Sequence, residues 1–229
     1  MALMTDHRWE QALQGPVWTV VVAAGSATRF GGTKLACMLA GRSVLDRSVA
    51  NARSHADGVV LVRSEHTPVC TEDVDVCVEG GATRSESVRC GLAAVPQDAA
   101  IIVVHDAARP LAGPDLFAAV IAAVRRGADA AITAVPVVDT IKRVDGSTVV
   151  ETLDRTTLVS VQTPQAFRAD LLRRAHAEFG EATDDAALIE RVGGVVVVAG
   201  GDVRNGKITT SADVGALDSL AAEIDAARR

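Results

Sequence analysis

Apolar residues along the first half of the chain fall into two alternating rhythms. Val17 to Ala24 is a β-rich run that ends at Gly25. Short continuous runs of this kind, without polar alternation, predict strands buried on both faces. From Ser43 the spacing changes. Val44, Leu45, Val49 and Ala52 share one helical face, and Ser43 suits the N-cap. Strand-like runs return at Val59–Val62 and Val74–Val78, and Gly80-Gly81 breaks the chain. Thr83 then caps a helix carrying Val88, Leu92 and Val95. Ile101–Val104 predicts a buried strand ending in His105-Asp106. Pro114 opens the next helix at a position where the missing N–H is harmless, and Ala130–Val135 predicts the next strand. This alternation predicts an α/β fold built on an open, mostly parallel twisted sheet.

Residues 136 to about 162 leave that rhythm. Thr140 to Val144, Asp145-Gly146 and Ser147 to Thr152 predict two strands around an Asp-Gly turn. A two-stranded ribbon is marginal by itself, so it must lie on its own body or on a partner subunit. Helices are predicted near 168–178 and 183–192, a strand at 194–199 and a last helix from Ser211. No repeat, low-complexity tract or linker divides the chain. The expectation is one domain over 1–229, with 136–160 protruding as a β-hairpin arm.

Composition narrows the function classes. The 229 residues carry a formal charge of −6, with 48% hydrophobic and 23% charged positions. No Lys/Arg cluster offers a basic face to nucleic acid, whereas a nucleotide needs only local positive charge and a metal ion. No apolar stretch approaches the length that spans a bilayer, and Met1 to Gly15 lacks a secretory apolar region. The expectation is a cytoplasmic protein that touches neither membrane nor nucleic acid. Cys37, Cys70, Cys77 and Cys90 form no metal-ligand spacing and are expected to be small buried hydrophobes.

Four segments carry candidate chemistry. Ala23-Ala24-Gly25-Ser26-Ala27-Thr28-Arg29 leaves the first strand through small residues and leads on to Lys34. Backbone amides in such a turn can cradle phosphate oxygens, and Arg29 and Lys34 can neutralise them. The segment is neither a P-loop nor a dinucleotide fingerprint. The plainer alternative is a small-residue turn with solvated charges. His105-Asp106-Ala107-Ala108-Arg109 follows a buried strand, where an Asp can hold Mg²⁺ and Arg109 an anion. A surface Asp–Arg pair is the alternative, and His105 suits packing or hydrogen bonding. Gly80 to Ser87 and Asn205 to Thr210 read, taken alone, as a capped Gly turn and a β-turn with an exposed lysine. Asp184-Asp185 suits a first helical turn.

Taken together these segments resemble the 2-C-methyl-D-erythritol 4-phosphate cytidylyltransferase family of the non-mevalonate isoprenoid pathway, over about residues 17 to 220. The most specific match is Val104-His105-Asp106-Ala107-Ala108-Arg109-Pro110. Pro136 to Lys142, Asp154-Arg155, Gln162 to Gln165, Thr183 to Asp185 and Lys207 to Thr209 match the family's later motifs. The resemblance implies that Ala23, Ala24, Gly25, Ser26, Gly81 and Ser87 hold the nucleotide, with Asp106 at the ribose and the Mg²⁺. It implies that Arg29, Lys34 and Lys207 hold the triphosphate and its transition state. Arg109, Thr140, Arg155, Thr163 and Thr183 would hold the polyol phosphate, and the 136–160 ribbon would cross to a second subunit. This chain departs from the family pattern at Val22 and Thr33, which replace prolines, and at Ala27, which replaces a glycine. Its Arg29–Lys34 stretch is shorter, Arg204-Asn205-Gly206 replaces Asp-Asn-Ile, and Ala82 stands where an acidic residue is common.

The implied chemistry needs no general base, because the acceptor phosphate is already ionised at neutral pH. It attacks the α-phosphorus of CTP in line and pyrophosphate leaves. Positioning two anions and offsetting their repulsion is the protein's task. A cytidylyltransferase for another polyol phosphate such as ribitol 5-phosphate, an NAD(P)-dependent oxidoreductase and a non-catalytic nucleotide-binding module are the alternatives. The 136–165 motifs favour the methylerythritol acceptor over the first, the missing dinucleotide fingerprint disfavours the second, and three convergent cations disfavour the third.

Overall fold

A computed structural model describes residues 13–25 and 34–227. Its centre is a seven-stranded sheet. In chain order the strands are β1 (Val17–Val22), β4 (Gly58–Arg63), β5 (Val76–Glu79), β6 (Ile101–Asp106), β7 (Ala130–Pro136), β10 (Val159–Arg168) and β11 (Val196–Gly200). The spatial order is β11-β7-β10-β6-β1-β4-β5. Two small pairs lie apart from it: β2 (Met38–Leu39) with β3 (Arg42–Ser43), and β8 (Lys142–Asp145) with β9 (Thr148–Thr152).

Both faces of the sheet are covered, which is why the strands read as unbroken apolar runs. Val21, Leu61, Ile101 and Val103 pack on one side with α1 (Val44–Arg53), α3 (Pro114–Arg125) and α6 (Ala212–Ala227). Val20, Val60, Val62, Ile102 and Val104 pack on the other with α2 (Arg84–Ala94), α4 (Ala169–Glu178) and α5 (Asp185–Arg191). Each fully buried Val or Leu contributes about 1.5–3 kcal/mol relative to exposure. The caps follow the sequence. Ser43 Oγ accepts from Asp46 N at 3.0 Å. Thr83 and Glu86 form a reciprocal capping box, Pro114 stands in the first turn of α3, and Asp184 caps α5.

Three expectations need correction. The sheet holds an unanticipated strand, β10, antiparallel to both β6 and β7. Polar Gln162, Thr163 and Gln165 around Pro164 hide it, and its register with β7 shifts between Gln162 and Gln165, where the proline is tolerated. The hairpin turn is Gly146-Ser147 rather than Asp145-Gly146, since Asp145 pairs with Thr148. Gly146 at φ +56° takes the left-handed position that begins a type II′ turn. The cysteines are not buried: Cys37, Cys70 and Cys90 are half-buried and Cys77 is exposed on the edge strand β5.

The connections reverse direction at β1. The chain runs from β1 to β4 and β5 on one side, then returns to place β6 on the other. The carboxyl ends of β1 and β6 therefore flank a switch point, where ligands bind in open α/β sheets.

Candidate functional site

A cavity of about 520 Å³ opens at that switch point. The segment Val22–Gly25 after β1 forms one wall, Gly81–Arg84 and Ser87 another, and Asp106 stands in it at the end of β6. Ser64, Glu65 and His66 after β4, together with Lys34, Leu35, Ala108, Lys207 and Thr209, complete it.

The Ala23–Gly25 wall is held by its own backbone. Ala23 N donates to Val62 O at 2.7 Å, and Ala23 O accepts from Thr67 Oγ1 at 3.0 Å. Gly80 packs beneath it, where a Cβ would stand 2.4 Å from Ala24 Cβ and 2.7 Å from Ser87 Oγ, so no larger residue fits. Opposite, Glu86 Oε2 accepts from the amides of Ala82 (2.7 Å) and Thr83 (3.1 Å). Ser87 Oγ donates to Thr83 O at 2.9 Å. Two small-residue turns thus face each other across a gap with fixed backbones.

Lys207 lies far from this region in sequence, and three contacts bring it in. Ile208 is fully buried and its N donates to Ala108 O at 2.9 Å. Arg109 Nη1 donates to Asn205 O at 2.9 Å, and Asn205 Nδ2 donates to Thr163 O at 2.9 Å. Lys34 Nζ donates to Ile208 O at 3.1 Å, so both lysines meet the same short segment.

Charge concentrates at Asp106. Its Oδ2 accepts from Lys207 Nζ at 2.6 Å, its Oδ1 from Arg84 Nε at 3.1 Å, and its N donates to Thr163 Oγ1 at 3.0 Å. Burial alone would raise this carboxyl, but the Arg84 guanidinium and the Lys207 ammonium outweigh burial and hold it well below the usual carboxylate range. Arg84 also reaches Asp185 Oδ2 at 2.9 Å. Burial would lower Arg84, and Asp185 with Asp106 raise it instead. Burial draws Arg109 down, with Asp106 opposing.

The cavity gathers Ala23, Ala24, Gly25, Gly81, Ser87, Asp106, Lys34 and Lys207 from the residues singled out in the sequence. Ser26 and Arg29 lie outside the described residues. Arg109 and Thr163 stand behind the cavity and brace it through the contacts given above. Thr183 is exposed just before the α5 cap, and Thr140 and Arg155 are exposed at the arm. None of these five lines the cavity of its own chain. Arg84 was not among the residues singled out in the sequence. A signal was present: a cation in the first turn of a helix opposes the dipole and needs another reason to be there.

Residues 17–222 match the family described as IspD: 2-C-methyl-D-erythritol 4-phosphate cytidylyltransferase. The 2-C-methyl-D-erythritol 4-phosphate cytidylyltransferase of Saccharopolyspora erythraea is 40% identical over 224 residues, covering 90% of this chain and 99% of that one. The bifunctional enzyme IspD/IspF of Solidesulfovibrio magneticus is 38% identical over 229 residues, and there the chain spans only 57% of the relative's length. The crystal structure of the Thermus thermophilus 2-C-methyl-D-erythritol 4-phosphate cytidylyltransferase superposes with a TM-score of 0.76 at 32% identity, covering 88% of this chain and 97% of that one.

Proposed function

The chain belongs to the 2-C-methyl-D-erythritol 4-phosphate cytidylyltransferase family and is a nucleotidyltransferase, and from that premise we propose how its own residues carry the reaction. CMP passes from CTP to 2-C-methyl-D-erythritol 4-phosphate, giving the CDP-polyol and pyrophosphate. The observation that carries this reading is the arrangement of Lys34, Lys207 and Asp106 beside two small-residue walls in one cavity. Cytosine lies between Ala23–Gly25 and Gly81–Ser87, where backbone polar groups can match its edge and reject other bases by leaving groups unpaired. The acceptor phosphate attacks the α-phosphorus in line. Lys34 and Lys207 offset the charge that gathers there.

Mg²⁺ is the proposed cofactor. Among the described residues no three His, Cys, Asp or Glu side chains converge as a cage. A magnesium site built from one carboxylate and substrate phosphates needs none, and Asp106 supplies the hard oxygen. When bound, the ion would neutralise phosphate oxygens. Arg109, Thr140, Arg155, Thr163 and Thr183 are proposed to hold the acceptor phosphate, and Arg109 and Thr163 also brace the loop that carries Lys207. The arm is proposed to make a homodimer. Among the described residues no helix is long and apolar enough to cross a membrane, and a cytoplasmic location is proposed.

The test is pyrophosphate release with each of the four nucleoside triphosphates against methylerythritol phosphate and ribitol 5-phosphate. Fast turnover is expected only with CTP and the methylerythritol acceptor. Equal turnover with ATP or GTP would overturn the cytosine assignment, and equal turnover with ribitol phosphate the acceptor.

A further inference from the structure

A file of alternating charges runs from the cavity into the body of the protein. Lys207 meets Asp106, Asp106 meets Arg84, and Arg84 Nη1 meets Asp185 Oδ2. Asp185 Oδ1 lies 3.0 Å from His176 Nε2. Asp185 is 1% and His176 4% exposed, and neither lines the cavity.

Local structure accounts for the outer members only in part: the first turn of α5 favours a carboxylate such as Asp185 but does not require it to be buried. Asp184, not Asp185, caps α5, through Ala187 N at 3.0 Å. A buried carboxylate is expensive unless paired, so Asp185 needs the Arg84 and His176 contacts to exist there. Arg84 begins α2, where the dipole disfavours a cation. A cation in a first helical turn and a buried carboxylate that meet each other are expected where function sets the arrangement. The geometry supplies that function. The planar Arg84 fork spans two carboxylates and so fixes the direction of both. Turning Asp106 would move the ammonium of Lys207, which has its 2.6 Å contact there.

We infer that Arg84, Asp185 and His176 are positioning residues for cytidylyl transfer: they hold Asp106 so that it presents Lys207 to the reacting phosphate. This rests on the proposed reaction. His176 fixes Asp185, Asp185 fixes one side of the Arg84 fork, and the other side fixes Asp106. Thr140 and Arg155, two of the proposed acceptor groups, are exposed at the arm away from the file, so a loosened file slows the chemical step more than it weakens the acceptor.

The test is a double-mutant cycle read by kcat and by KM for each substrate. Arg84→Lys keeps the charge but offers a point donor that cannot span both carboxylates. It is expected to lower kcat by about tenfold, with KM for the acceptor within about twofold. His176→Phe should lower kcat severalfold, and His176→Gln, whose amide can donate to the same oxygen, should restore it. The decisive result is the pair: in the Arg84→Lys background His176→Phe should cost nothing further, because its effect travels only through Arg84. A role in stability alone would persist in that background. Wild-type kcat in His176→Phe, or a double variant whose loss is the product of the single losses, would overturn the inference. Should His176→Phe fail to fold, Asp185→Asn takes its place in the same cycle with the same two outcomes. Absence of turnover in the wild-type protein would instead overturn the reaction itself.

Discussion

Lys34 and Lys207 reach the same short segment from opposite ends of the chain, yet their partners differ. Lys207 faces a carboxylate at 2.6 Å, whereas Lys34 donates to the Ile208 carbonyl at 3.1 Å. Lys34 lies on the single 3₁₀ turn Lys34–Ala36, beside the buried Leu35 that anchors it to the core. In the proposed reaction its ammonium meets charge that grows only as the α-phosphorus becomes five-coordinate. An interaction of that kind appears in kcat, so Lys34→Ala should lower kcat by about 10²–10³ with little change in KM for CTP. Steady-state kinetics with each substrate varied decides it, and near-normal kcat would remove Lys34 from the transition state. Lys34 is a candidate in the sequence because it ends a small-residue segment after a strand. Lys207, taken alone, reads as an exposed lysine on a β-turn and is placed with it only by the family resemblance. Arg84 is not a candidate there, since its meaning depends on Asp185, 101 positions away, and no local pattern brings those two together.

Among the elements, β6 and β10 carry the site's floor and also its acid sensitivity. His105 on β6 is fully buried, its Nδ1 lies 3.2 Å from Thr163 Oγ1 on β10, and its ring packs 5.2 Å from that of Phe117. Burial pushes this imidazole down to about 4, with the Asp106 charge opposing and Arg109 adding to the fall. It is therefore neutral in the folded chain at a pH where the unfolded chain takes up a proton. That contribution is fully present above about pH 6.5 and is lost as pH falls from there to about 4, on the order of 3 kcal/mol in all. Asp106 acts lower: its depressed value gives stability that is present above the ordinary carboxylate range and lost only below it. Denaturant unfolding between pH 7 and 4.5 should show a decline that His105→Gln flattens. A wild-type stability independent of pH over that interval would contradict the burial argument. The strand β6 was readable because both its faces are apolar. β10 was not, because its inward positions Gln162, Thr163 and Gln165 are polar and serve neighbouring loops rather than packing.

At the scale of the whole molecule, the arm is the element that one chain leaves unexplained. Every residue of β8 and β9 is exposed, and Val144, Val149 and Val150 each show more than half of their surface. A two-stranded ribbon with nothing against it among the described residues is marginal in water, and exposed valines along it suit a surface that a partner covers. The hairpin was legible from its break in the α/β rhythm, but what covers it is not a property of one chain. A second copy is the proposed partner, with Thr140 and Arg155 carried to the neighbouring cavity. Arg155 is well placed for that: it is exposed, and its Nη1 donates to Val138 O, which ties it to the root of the arm. The prediction is subunit complementation. A Lys34→Ala homodimer lacks the lysine in both cavities, and an Arg155→Ala homodimer lacks the arm's arginine in both. Mixed and allowed to exchange, half of the dimers become hybrids. In each hybrid the cavity of the Arg155→Ala subunit keeps its own Lys34 and receives Arg155 from its partner, while the other cavity loses both. Activity should therefore rise from near zero to about a quarter of wild type, measured at an acceptor concentration below the raised KM of Arg155→Ala. No recovery, in a mixture shown by sedimentation to contain hybrids, would mean that Arg155 serves its own cavity or none. A monomer at micromolar concentration with full activity would dispose of the arm as an interface altogether.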